Sequence, residues 1–236
     1  MLSPAIRKKY SGFAKSLLPA FSAEMKKYEE LYADFAVNGY SKELCERYAD
    51  AFVNDIKKPA PEDIIQLAAL YDRIHANTDA AYYLETLQDK KLSGEEKFAY
   101  CLEMLKTESK LGHFRAAEDF RTENINFLQN HSKKRSSQDL AEMYMALALV
   151  DVAGKHYNEA FKLLRFGYKP LGRNDSTLLE MLITGVYICA RSGDQDGLND
   201  AVANTHSCLK LFSEYEFPWS KSYYEQRIEE AAQGIL

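Results

Sequence analysis

Between Leu140 and Pro170 the apolar residues recur at helical spacing twice, with one interruption. Tyr144, Leu147, Ala148 and Asp151 share one face of a first segment, and Ala160, Leu164, Gly167 and Tyr168 share one face of a second after a break at Gly154. The pattern predicts helix, turn, helix. Small residues at Ala148 and Ala160 let the two helices approach closely, Tyr157 closes the corner, and Pro170 ends the second helix.

Weaker copies of this unit fill most of the chain. Over Ser22–Lys57, Tyr28, Leu31, Phe35 and Gly39 match the first half and Leu44, Tyr48 and Ala51 the second, with Ser41 as a cap. After Pro59 and Pro61 come Ile64, Leu67, Ala68 and Tyr71, a turn over His75–Asp79, then Ala80, Leu84 and Leu87. A third pair opens on Ser93 and Glu96, spaced as a capping box, and runs through Cys101, Met104 and Leu105, a turn at Gly112–Phe114, and Ala117. There Arg121 occupies a position where a large apolar residue is expected, which predicts a shifted register through Phe120, Ile125 and Leu128. The polar stretch His131–Ser137 reads as a long connection to the clearest unit. A fifth pair has caps at Asp175–Thr177, with Thr177 and Glu180 as a second box, then Met181, Gly185 and Ile188, a turn at Gly193, and Gly197 and Ala201. The equivalent positions Leu44, Ala80, Ala117, Ala160 and Gly197 are 36, 37, 43 and 37 residues apart, and the longest interval contains the polar connection.

This order of aromatic, Leu, small residue, turn, aromatic, Ala, large apolar, small residue and Pro resembles the tetratricopeptide repeat. The departures are Asp151 where an aromatic is usual, Gly154 one residue early and Pro170 two residues early. The resemblance implies an all-α fold in which antiparallel helix pairs stack into a right-handed superhelix, an α-solenoid. The expected organisation is one helical-repeat domain over 1–236: an extra amphipathic helix within 1–21, about five pairs over 22–213, and a closing helix within 217–236. The first helix carries Ile6, Tyr10, Phe13, Ala14 and Leu17 opposite Arg7, Lys8, Lys9 and Lys15; the last follows Phe217-Pro218-Trp219, begins with a box at Ser222 and Glu225, and ends near Gly234.

In that family the first helices of successive pairs line a concave groove. Its groove positions carried onto this chain are Ile65, Ala69 and Asp72; Leu102, Lys106 and Ser109; Met145, Leu149 and Val152; and Leu182, Val186 and Cys189, with Arg73 and Lys106 placed to orient an acidic group at the rim. The groove so defined is apolar. It lacks the Lys and Asn pattern by which some members clamp a C-terminal carboxylate. The resemblance therefore implies a non-catalytic scaffold or adaptor for a protein or peptide, unless the groove is filled by the chain's own terminal helices. The alternative is a ligand- or peptide-sensing regulatory subunit that acts with a nucleic-acid-associated partner.

Composition narrows the classes further. With 46% apolar residues over 236 positions the chain can build a continuous core, and six Pro and eleven Gly suit helices better than tight-turned strands. A net charge of −5 argues against direct nucleic-acid binding. The longest strongly apolar run, Met143–Val150, is far shorter than the roughly 20 residues of a bilayer span. The first residues lack a secretory pattern, so a cytoplasmic location is expected. Cys45, Cys101, Cys189 and Cys208 are far apart and read as reduced thiols. His75, His113 and His156 fall in turns without ligand spacing, and the adjacent carboxylates Glu29-Glu30, Glu95-Glu96 and Glu229-Glu230 point about 100° apart on a helix. Neither a catalytic constellation, a metal nor a cofactor is expected. With no long heptad seam, the expected state is a monomer or weak homo-oligomer.

Overall fold

The computed structural model describes residues 46, 47, 49, 59–133, 135–171, 176–211 and 221–236, apart from the side chains of Ser176 and Ser222. The expected N-terminal helix, most of the pair over Ser22–Lys57 and the Phe217-Pro218-Trp219 break lie outside these residues. Among the described residues all regular structure is helical. The helices are α1 Pro61–Arg73, α2 Asn77–Glu85, α3 Gly94–Lys110, α4 Phe114–Ser132, α5 Ser137–Ala153, α6 Tyr157–Tyr168, α7 Ser176–Ser192, α8 Gln195–Lys210 and α9 Lys221–Ala232. The described residues within Met1–Lys91 and Glu214–Tyr224 form one compact unit, and those within Leu92–Ser213 and Glu225–Leu236 a second.

Four helix corners share one backbone design. His75, Gly112, Lys155 and Gly193 are in the left-handed region at φ of 60°, 76°, 62° and 76°, each one or two residues beyond the first helix of a pair. The next N–H in each corner reaches back five residues: Ala76 to Tyr71, His113 to Glu108, His156 to Asp151 and Asp194 to Cys189, at 3.0, 3.0, 2.7 and 3.2 Å. These bonds satisfy carbonyls that the helix end would otherwise leave open. The early glycine noted in the fourth pair has a physical reason. Lys155, not Gly154, carries the left-handed turn, and Gly154 is small because a Cβ there would lie 2.5 Å from the Phe114 ring. Replacing Lys155 with Gly is expected to raise stability by about 1 kcal/mol, read as a higher urea midpoint. Gly154→Ala is expected to cost about 1–3 kcal/mol, because an aromatic ring cannot yield as a flexible chain end does.

In the first unit α1 packs on α2, with Tyr71 stacked on Tyr83 at 5.6 Å and Leu67, Ala80 and Leu84 fully enclosed. The second unit contains the pairs α3/α4, α5/α6 and α7/α8. α5 touches α3, α4, α6 and α7, and its residues Ala146–Val152 are all buried. An apolar surface on every side is what such a central helix requires, so α5 has the most continuous apolar run in the sequence. The repeat positions Ala117 and Ala160 have no exposed surface, whereas Gly197 is half-buried beside the Asp194 carboxylate.

The caps follow the sequence in part. The Ser93 hydroxyl accepts from Glu96 N–H at 3.2 Å, and Ser93 N–H donates to the Glu96 carboxylate at 2.7 Å. Hydrogen bonding from the Ser93 backbone and then its side chain holds the Glu96 carboxyl below its ordinary pKa, so this part of the cap is present at neutral pH and lost as acidification passes the folded-state value. The two other boxes expected from sequence are corrected. Thr177 is buried inside α7, which begins at Ser176, and Ser222 lies within α9, which begins at Lys221. A box at Ser136 and Asp139 starts α5. The long connection expected over His131–Ser137 shrinks to 133–136, because α4 extends through Ser132.

Candidate partner-binding surface

The sequence-derived groove positions separate by exposure. In the second unit Leu102, Leu149, Val152 and Val186 are buried at 3, 4, 2 and 0% exposure, while Met145, Leu182 and Lys106 are half-buried. Met145 and Leu182 come from adjacent helices, and the Thr184 hydroxyl lies 3.8 Å from the Met145 sulfur. Lys106 pairs with Glu103 on its own helix. Ser109 and Cys189 are buried as well. In the first unit Ile65 and Asp72 are buried, Ala69 is half-buried, and Arg73 donates from Nη1 to the Tyr223 hydroxyl at 3.2 Å. The groove positions thus supply mostly core, with Met145 and Leu182 as the apolar groove positions of the second unit that reach solvent.

Arg121 is the residue whose role sequence reasoning missed. The register of α4 keeps Ala117 and Leu128 fully buried, while Phe120 and Ile125 are only half-buried. Arg121 Nη1 donates to Asp151 Oδ1 at 2.7 Å, and Nη2 lies 2.5 Å from Glu118. The Asp151 side chain is 8% exposed. Burial opposes the Arg121 charge, but hydrogen bonds and charge from Glu118 and Asp151 outweigh it and raise its pKa. Two departures from the repeat pattern, a cation for an apolar residue and Asp151 for an aromatic, are therefore partners across α4 and α5.

A cleft of about 500 Å³ opens beside the contracted connection, lined by Glu95, Asn126, Phe127, Asn130, His131 and Arg135. Arg135 lies 4.2 Å above the Phe98 ring, and His131 stacks on Phe127 at 5.2 Å. Both face Glu95: Arg135 Nη2 bonds its carboxylate, and His131 Nε2 lies 3.4 Å from Oε1. The one local signal beside this cluster is the Ser136/Asp139 spacing, which caps α5 next to Arg135; the expected loop is shortened chiefly by α4, which runs through Ser132.

The described thiols, Cys101, Cys189 and Cys208, do not offer a nucleophile. Burial pushes the Cys101 pKa up to about 12, and burial likewise raises those of Cys189 and Cys208, so the reactive thiolate is disfavoured. Tyr168 is also held above its usual value by burial and donates its hydroxyl to the Met181 carbonyl at 3.2 Å. Among the described residues no group of three or more His, Cys, Asp and Glu is placed to hold a metal ion, and no helix is long and apolar enough to cross a membrane. The chain matches no protein-family model, no curated protein and no solved structure.

Proposed function

We propose that the chain is a tetratricopeptide-like stack of helix pairs serving as a non-catalytic scaffold for a protein or peptide. The binding face runs over α5 and α7 and presents Met145 and Leu182, whereas Leu102 at the equivalent position of α3 is buried. The observation that supports this reading is the partial exposure of Met145 and Leu182 on touching helices, each one turn before a buried residue, Leu149 or Val186. A half-exposed apolar pair on a packed base accepts an apolar partner face without rearranging the core. Met145 supplies an adaptable contact. The repeated corner design supports the stack, since the first helices α1, α3, α5 and α7 all end with the same chain reversal.

Leu149→Glu would place a charge in the core, so it is no test of binding. Met145→Glu with Leu182→Glu changes groups that already reach solvent. In a quantitative binding assay this pair is expected to weaken the bound partner by at least about tenfold, corresponding to about 1.4 kcal/mol. Affinity of the unmodified protein is expected to vary by less than about threefold between low and physiological salt, since the contact is apolar. Binding that collapses with salt and survives the double substitution would overturn the proposal.

A further inference from the structure

The cleft beside Arg135 joins a rigid cationic wall to an exposed carboxylate. Arg135 is 14% exposed, with its guanidinium carbon 4.2 Å from the Phe98 ring centroid, Nη1 3.4 Å from Asp139 and Nε enclosed without a hydrogen-bond partner. His131 is fixed by its stack on Phe127 and by the absence of a side chain at Gly94, where a Cβ would lie 3.0 Å from Cε1. The carboxylate they share belongs to Glu95, whose side chain is 76% exposed. An exposed ion pair of this kind is held weakly, whereas a guanidinium already ordered on a ring loses little freedom when it binds a new carboxylate. Asn126 and Asn130, both exposed and one helical turn apart, line the same cleft and offer amide groups that match a peptide backbone. Lys97 lies 4.8 Å from the Phe127 centroid and adds positive charge nearby.

We propose that this cleft binds the carboxylate side chain of an acidic peptide segment, which displaces Glu95 from Arg135 and His131. Glu95 is the resident stand-in for that ligand. The site is independent of the apolar face over α5 and α7. The test uses the full chain and a short fluorescein-labelled Glu-rich peptide, with the Gln counterpart as control, followed by anisotropy. Removing the internal competitor with Glu95→Gln is expected to tighten acidic-peptide binding on the order of tenfold. Adding Arg135→Gln to that variant is expected to remove the gain, and Arg135→Lys to restore only part of it because Lys lacks the planar fork. Met145→Glu is expected to leave this binding unchanged. Thermal unfolding of each variant identifies loss of fold, and the Glu95→Gln comparison stands without the Arg135 variants. Unchanged or weaker binding by Glu95→Gln, equal binding of the Gln peptide, or preference for a short oligonucleotide would each overturn the proposal.

Discussion

Arg121→Ala is expected to destabilise the protein by about 3 kcal/mol, measured by urea unfolding, because it leaves the Asp151 carboxylate buried without its guanidinium partner. A favourable hydrogen bond is lost, and the remaining charge keeps its desolvation cost. The double substitution Arg121→Leu with Asp151→Val replaces both charges with apolar residues of nearly the same total volume. It is expected to lie within about 1 kcal/mol of the parent, since an apolar pair of matched volume needs no compensating charge. The two single changes should therefore be strongly non-additive. Additive losses in the double variant would show that the ion pair does not link α4 to α5 energetically.

Ala160→Trp is expected to cost about 3 kcal/mol or more and to broaden or abolish cooperative unfolding. Ala160 has no exposed surface, and α6 packs on both α5 and α7. An indole at this point must push apart two helix contacts. Ala116, exposed on α4, provides the comparison, and Ala116→Trp is expected to leave the melting temperature nearly unchanged. Equal melting temperatures for both Trp variants would contradict the close packing at Ala160.

The all-helical character was legible because helix periodicity and turn spacing are local properties. Among the described repeat positions, Ala80, Ala117 and Ala160 have no exposed surface. All four corners were legible as turns, but the left-handed residue was legible only at Gly112 and Gly193 and not at His75 and Lys155, because no side-chain type announces that conformation when glycine is absent. The caps failed where several cap-forming residues adjoin one another: Thr177 and Ser222 have the right spacing to a Glu but lie inside the helix. The site was less legible than the fold. Helical spacing identifies a face, yet a neighbouring helix decides whether that face meets solvent, and α5 is covered on several sides. That is why Leu149, Val152 and Val186 became core while Met145 and Leu182 retained exposure. The Arg121–Asp151 pair and the Glu95–His131–Arg135 cleft join residues distant in sequence, so spacing along one helix did not reveal them.

The central functional claim is a location, so it is tested most directly by residue-specific photocrosslinking. A photoreactive phenylalanine analogue is placed singly at Met145, Leu182, Asp119 and Lys162, and adducts with endogenous proteins are compared by mass. Asp119 and Lys162 are exposed on the second helices of their pairs. The expected result is a shared adduct at Met145 and Leu182, absent at Asp119 and Lys162. A shared adduct at Asp119 and Lys162 with none at Met145 or Leu182 would contradict the assignment of the binding face.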